Sequence, residues 1–211
     1  MARREVYVAG AGGHAKVVLS TLLACGFAPK AIYDDAPETW GKTVLGVPVL
    51  GPIGDLAARL PLPVVVAVGS NSARKTVVAR LDGAEWVTTV HPTAFVDPTV
   101  NLGPGTVVFA GAMVQTDTRI GEHCIVNTGA TIDHDCVFGP FAHAAPGSHC
   151  AGGVHLGEGA LLGIGACVIP GRRVGAWARV GAGATVVRDL PEGVTAVGCP
   201  ARPLPDRRTP A

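Results

Sequence analysis

Aromatic side chains make up only 5% of this 211-residue sequence and charged ones only 16%. So few rings exclude a conventional core built around Phe, Tyr and Trp, although 48% of the residues are apolar. Lys and Arg total 17 against 16 for Asp and Glu, so there is neither the basic excess that a nucleic-acid face needs nor an acidic tail. Long hydrophobic runs are also missing: stretches such as 64–68 fall far short of a membrane span. The first residues do not read as a signal peptide, because Arg3, Arg4 and Glu5 lead into a short apolar run that ends at Gly10. Six cysteines occur without any sign of secretion, so reduced thiols are expected. These absences lead to the expectation of a cytoplasmic protein that binds neither nucleic acid nor membrane. Glycine, by contrast, is abundant at 29 residues. The interior is therefore expected to be repetitive and filled by small side chains.

The repeat is found in the second half. From Val96 every sixth residue is apolar, through Leu102, Val108, Val114, Ile120, Val126 and Ile132 and on without a break to Val186. In a sequence this apolar, chance would place an apolar residue at about half of those positions. Glycine often follows the apolar residue, as at Gly103, Gly121, Gly139 and Gly157, and a small residue usually stands two places before it. Neither the 3.6-residue period of a helix nor the two-residue period of a flat strand fits. Period six fits one short strand on each side of a triangular prism, with three hexads per coil. The aliphatic residue points inward, the small residue relieves crowding at the corner, and glycine supplies turn conformations with φ > 0. At β spacing, roughly five coils make a prism on the order of 25 Å long. This frame makes Cys150 an inward residue and Cys124 and Cys136 small corner residues, rather than metal ligands or nucleophiles.

The first half reads as β-α-β. A strand at 5–9 runs into Gly10-Ala11-Gly12-Gly13-His14-Ala15 and then an apolar-periodic helix at 17–23, which makes an anion-binding helix N-terminus. G-x-G-x-x-A matches the dinucleotide fingerprint, with Asp34 and Asp35 about twenty residues on, though a tight strand-to-helix packing turn has nearly the same signature. Further strands are predicted at 31–33, ending in Asp34-Asp35, and at 64–68, ending in Gly69-Ser70-Asn71 before a helix at 73–81. About ninety residues are too few for both halves of a dinucleotide domain, so a mononucleotide site is expected. The fold expected is thus an α/β N-terminal domain, a small Rossmann-like parallel sheet over 1–90, followed over 91–200 by a prism whose hexapeptide repeats resemble those of the left-handed parallel β-helix proteins. A tail over 201–211 completes the chain.

The combination G-A-G-G-H, D-D, G-S-N, N-T-G-A-T-I-D-H-D-C, F-A-H, C-A-G-G and G-C-P-A-R resembles the bacterial nucleotide-sugar acetyltransferases. That family includes the bacillosamine-pathway and perosamine N-acetyltransferases and proteins described as sialic acid O-acetyltransferases. The resemblance covers nearly the whole chain, to about Arg202. It implies transfer of acetyl from acetyl-CoA to the amine of a nucleotide-linked 4-amino sugar, in a homotrimer with CoA held between neighbours. It further implies sugar-nucleotide binding by Gly12, Gly13, His14, Asp34, Asp35 and Gly69. His143, Gly152, Ile164 and Ala182 are implied as acetyl-CoA contacts, with the Gly152 N–H near the thioester carbonyl. Ala182 stands where the family often has glycine and still offers a backbone N–H. No metal is expected.

Acetyl transfer needs a base for the attacking amine, and His134 between Asp133 and Asp135 has the required character. On spacing alone, a solvated surface His–Asp pair explains these residues equally well. In the resembling enzymes the matching histidine is the general base and the acidic residue after it, here Asp135, tunes it; the family often has glutamate at that place. A uridine acceptor is preferred on Asp34-Asp35, with GDP- or dTDP-linked sugars as alternatives. Acetylation of a sugar hydroxyl, a scaffold without activity and a γ-carbonic-anhydrase-like zinc enzyme are the competing readings. Zinc would require converging imidazoles from His123, His149 and His155, which sit on coils or faces apart from His134. His91, Asn127 and Arg202 are read respectively as structural, as a lining or interior ladder residue, and as tail or CoA-phosphate contact.

Overall fold

The structure is a computed structural model and describes residues 4–205. The first strand, β1 (Arg4–Ala9), buries Val6, Val8 and Ala9 completely. Helix α1 (Gly13–Ala24) buries Ala15, Val18, Leu19 and Leu22, the i, i+3, i+4, i+7 stripe of one helix face. The turn between them depends on glycine: Gly10 has φ +110°, and a Cβ there would stand 2.9 Å from the Ala67 carbonyl oxygen. The rest of the domain is β2 (Phe27–Tyr33), β3 (Thr43–Val44), β4 (Val47–Gly51), α2 (Ile53–Ala57), β5 (Pro63–Val66), α3 (Asn71–Arg80) and β6 (Glu85–Trp86).

The sheet order is β3-β4-β2-β1-β5-β6, parallel apart from the β3–β4 pair. Strand β1 lies between β2 and β5, so the chain switches sides there and the carboxyl ends of β1 and β5 open a crevice. The strand expected at 31–33 starts earlier, at Phe27, and the one expected at 64–68 stops at Val66. The sequence reading passed over β4 and β6. Pro48 and Gly51 interrupt the first, and the second has only two residues.

The prism has three parallel faces. One stacks Thr89–Val90, Val107–Val108, Ile125–Val126, His143–Ala144, Leu161–Leu162, Arg179–Val180 and Thr195–Val197, each pair eighteen residues after the last until the final step. The second runs from Phe95–Val96 to Thr185–Val186 and the third from Asn101–Leu102 to Arg173–Val174. This is the left-handed β-helix class that the resemblance of the repeat implies. From Val108 to Val186 each sixth residue is buried. The first prism strand begins at Thr89 and the last pairing, Arg202–Pro203 against Val197–Ala196, reaches into the expected tail. Residues 206–211 lie outside the described residues.

Two details of the repeat differ from the sequence reading. Glycines after the inward residue are not turn formers. Gly157, for example, is required because a Cβ there would meet Ala176 N of the next coil at 2.4 Å. The positive φ falls two residues later, as at Gly159 (φ +61°). Corner residues do more than relieve crowding. Thr106, Thr118, Cys124 and Cys136 donate to the carbonyls of Gly121, Asp133, Gly139 and Ala151, at 2.7, 2.9, 3.2 and 3.3 Å. These bonds give the carbonyls at the corners a partner, and Gly139 also accepts the Ala142 N–H at 3.3 Å.

The N-terminal domain lies on the first face. Val107, Phe109 and Ile125 join α1 and β1 in one apolar cluster, so α1 is held between the sheet and the prism.

Candidate active site

His134 stands on the prism edge between the second and third faces, at the turn after Thr131–Ile132. Its Nδ1 lies 2.7 Å from Asp135 Oδ2, and both side chains are well exposed, at 58% and 66%. Asp135 reaches this position from the left-handed region, with φ +58°, which an aspartate tolerates better than most residues. Its N–H donates to the Thr116 carbonyl at 3.1 Å, and Asp133 accepts the His134 N–H at 2.9 Å. The Asp135 hydrogen bond, aided by the charge of Asp133, holds the His134 pKa above its ordinary value. A carboxylate on Nδ1 leaves Nε2 as the nitrogen with the free lone pair.

Gly152 is one coil further along the same edge. A Cβ there would stand 2.5 Å from His134 Cε1 and 2.6 Å from Nε2, so the imidazole lies directly over the Gly152 backbone. The Gly153 N–H donates to the His134 carbonyl at 2.9 Å, which ties the two turns. A hollow of about 270 Å³ lies beside this edge, lined by Met113, Gln115, Thr131, Ile132, Asp133 and Cys150. His134, Asp135 and Gly152, the residues expected as base, tuning carboxylate and thioester contact, are thus adjacent.

His143 is elsewhere. It projects from the first face toward the N-terminal domain, where its ring meets His14 (centroids 6.4 Å apart) and its Nε2 pairs with Asn127 Nδ2 at 3.1 Å. His14 in turn sits edge-on to Phe109 at 5.4 Å, and a Cβ on Gly69 would lie 3.7 Å from its ring. Burial, reinforced by Arg74, pushes His14 down to about 4 and His143 to about 3, so both rings are neutral. His14, Gly69, His143 and Asn127 therefore meet where the β1–β5 crevice touches the prism. Asn127 forms no interior ladder: it follows the inward Val126 and lies at the surface of the first face.

Gly12 and Gly13 have nothing within 4 Å of a Cβ, so no packing contact in the chain requires glycine there. Asp34 braces the glycine turn, accepting the Ala11 N–H at 2.6 Å and the Ala36 N–H at 2.8 Å. Asp35 pairs with Arg80 and accepts the Ile53 N–H at 3.1 Å. The Arg80 bond keeps the Asp35 carboxyl below its usual range. Both carboxylates are thus engaged within the chain, and this geometry gives no preference for uridine. A hollow of about 320 Å³ opens at the end of β5, between residues 69–72 and Leu161, Trp177 and Arg179 of the prism. Another hollow, about 400 Å³, lies at the amino ends of the strands, lined by Arg4, Tyr7, Phe27, Pro63 and Glu85, and contains none of the expected site residues.

Ile164 and Ala182 occupy the edge between the first and second faces, stacked one coil apart through the Gly183 N–H to Ile164 carbonyl bond of 2.8 Å. Ile164 is 63% exposed. The whole second face separates this edge from His134 within one chain. Three of the remaining histidines pack against or hydrogen-bond to neighbouring side chains. His123 is buried in a stack with Phe141 and against Trp86, His149 Nδ1 lies 2.8 Å from Thr131 Oγ1, and His91 Nδ1 bonds Thr93. His155 lies on the third face. Among the described residues no three His, Cys, Asp or Glu side chains converge as a metal site would need, and no helix is long and apolar enough to cross a membrane.

Residues 5–81 match the family model described as the PglD N-terminal domain. The structure resembles that of perosamine N-acetyltransferase from Caulobacter crescentus, solved with CoA and GDP-perosamine. The TM-score is 0.91 at 44% identity, covering 97% of this chain and 99% of that one. The acetyltransferase domain of PglB from Neisseria gonorrhoeae, solved with acetyl coenzyme A, matches at TM-score 0.89 and 39% identity, covering 96% and 100%. Among curated proteins, UDP-N-acetylbacillosamine N-acetyltransferase of Bacillus subtilis is 39% identical over 113 residues, 51% of this chain and 52% of that protein. A protein of Acanthamoeba polyphaga mimivirus is 32% identical over 121 residues, only 24% of its own length. The chain therefore spans about half or less of these curated relatives.

Proposed function

Because the chain belongs to the nucleotide-sugar N-acetyltransferase family that includes the Caulobacter perosamine enzyme and the Neisseria PglB domain, we propose that it transfers acetyl from acetyl-CoA to the amine of a nucleotide-linked amino sugar. The observation that carries this reading is the exposed His134–Asp135 pair lying over the Gly152 backbone. In the reaction the acceptor amine attacks the thioester carbonyl while His134 Nε2 takes its proton. Asp135 holds Nδ1 and stabilises the imidazolium that forms. The Gly152 N–H, beside the ring, is placed to donate to the carbonyl oxygen as it gains charge. Collapse breaks the C–S bond, and the imidazolium returns its proton to the departing thiolate of CoA.

The domain over 1–90 is assigned the acceptor, through Gly12, Gly13, His14, Asp34, Asp35 and Gly69, and the prism over 91–200 the acetyl donor. The open room at Gly12 and Gly13, at the N-terminus of the 12-residue α1, suits close approach of a diphosphate. Ile164 and Ala182 lie on a different edge from His134, so a donor that touches both sets needs more than one copy of the chain. This supports a homotrimer whose sites are shared between neighbours. His143 takes part from the first face, beside His14. The working compartment is the cytoplasm, where acetyl-CoA and reduced thiols are available.

The test is release of CoA thiol from acetyl-CoA with UDP-, GDP- and dTDP-linked 4-amino sugars, against a sialic acid hydroxyl acceptor. Turnover with one of the amino sugars and an amide product support the reading. Turnover confined to the hydroxyl acceptor would replace it with O-acetylation.

A further inference from the structure

Arg74, in α3, is the largest fully buried side chain among the described residues, 1% exposed. Each of its five guanidinium N–H groups has an acceptor. Nε donates to the His123 carbonyl at 2.8 Å, and one terminal nitrogen donates to the Val68 and Gly69 carbonyls at 3.0 and 3.2 Å. The other donates to Asn71 Oδ1 at 2.9 Å and to the Phe141 carbonyl at 2.7 Å. Asn71 extends the tie, its Nδ2 reaching the Gly159 and Ala160 carbonyls at 3.0 and 3.3 Å. The bonds therefore join three successive coils of one prism edge to the loop that follows β5. That loop carries Gly69, which packs on His14, and its carbonyl faces the His143 ring.

No carboxylate is among the partners of Arg74. A buried guanidinium whose acceptors are all carbonyl and amide oxygens gains nothing from ion pairing and is costly to desolvate. What it supplies is geometry: a rigid planar fork that spans two domains, which a lysine cannot reproduce.

We propose that Arg74 is a positioning residue for the acceptor, fixing the Val68–Gly69 loop, and with it His14, at a set distance and angle from the prism. This rests on the acetyltransferase reading above. The acceptor is held by the small domain and the acetyl group by the prism, so the docking of one on the other sets the distance the amine must cross. Arg74 acts through the loop and touches neither substrate.

Arg74→Lys and Arg74→Gln test the proposal. Each is assayed well below its melting temperature, after circular dichroism and light scattering show the wild-type fold and mass. The account expects kcat/KM for the amino-sugar nucleotide to fall roughly tenfold to a hundredfold in both, the scale of a misplaced reacting group. Direct binding of acetyl-CoA should stay within about twofold, because a loosened loop alters the acceptor's placement and not the donor's groove. Arg74→Lys keeps the charge, so rescue by lysine would show that charge and not the fork matters and would overturn the proposal. Acceptor kcat/KM within about twofold of wild type in both folded variants would overturn it as well. Should both fail to fold, Asn71→Ala removes one acceptor of the fork and the tie to residues 159–160. It should produce a smaller loss of the same kind, and an unchanged acceptor kcat/KM there would refute the proposal. Wild-type enzyme that turns over no amino-sugar nucleotide would instead refute the acetyltransferase reading, independently of any Arg74 variant.

Discussion

At the exposed prism edge, an aspartate 2.7 Å from Nδ1 raises the pKa of His134. At the junction between the domains, burial and a nearby guanidinium lower His14 and His123 to about 4 and His143 to about 3. The same side chain is thus prepared for opposite tasks by its surroundings. At the edge it can gain and lose a proton near neutral pH, as a general base must. At the junction it stays neutral and serves as a packing ring, with His143 also paired to Asn127 while His14 Nε2 and His123 Nδ1 are buried without a hydrogen-bond partner. A histidine count therefore says little: solvent access together with a carboxylate sets the His134 ring apart from the three rings at the junction.

The sharpest way to break this comparison is His134→Asn, which keeps a polar side chain of similar bulk but cannot accept a proton. Steady-state rates should fall by roughly 10²–10⁴ with acetyl-CoA binding nearly intact. Gly152→Ala should come next. Its methyl would stand 2.5 Å from the His134 ring, and since that ring is exposed it swings aside at little cost in stability. The account predicts a loss of roughly 10–100-fold in kcat with a melting temperature close to wild type, read by parallel kinetics and thermal denaturation.

The junction half of the comparison is tested by acid. For a group with a lowered folded pKa, stability is fully present above the unfolded value near 6.5 and is lost as pH falls toward the folded value. With His14 and His123 at about 4 and His143 at about 3, the loss should run from about pH 6.5 down to about pH 4 for the first two and to about pH 3 for His143. At pH 5 each of these three rings costs on the order of 1–2 kcal/mol, a melting-temperature drop of roughly 6–24 °C for the three together. His123→Phe fills the same stack with Phe141 and Trp86 without a titratable ring. It should recover part of that drop, and a wild-type melting curve flat from pH 7 to 4.5 would contradict the account.

The two regions also differed in how much of them could be read beforehand. The prism was legible because its constraint is periodic: an inward aliphatic at every sixth position is a one-dimensional signal. His134 was legible for a similar reason, since its partners Asp133 and Asp135 adjoin it in sequence and Gly152 follows eighteen residues later, one full coil. The junction was not. Arg74 takes acceptors at His123 and Phe141, 49 and 67 residues away, all of them backbone oxygens that leave no mark in residue type. Asn127 and His143 meet only because consecutive coils stack. The glycines were identified as necessary but given the wrong reason at positions such as Gly157, because a coil-to-coil clash is a tertiary fact. Asp34 and Asp35 were noticed for ligand binding, but their partners within the chain, Ala11, Ala36, Ile53 and Arg80, are not readable from residue type.

The smallest expected effect on rate is also the most diagnostic. Asp135→Asn keeps the base and should lower kcat by roughly tenfold or less, but it removes the carboxylate that raises the His134 pKa. The measurement is kcat/KM against pH for wild type and Asp135→Asn with the amino-sugar nucleotide as varied substrate. The base must be neutral to act, so the rate should rise through its pKa, and the wild-type ascending limb should lie above the ordinary histidine value of about 6.5. In Asp135→Asn that limb should move to lower pH, which separates it from titration of the acceptor amine, because the substrate's pKa does not change with the enzyme. A wild-type limb near pH 4, or one that Asp135→Asn leaves in place, would contradict the assignment of His134 as the base.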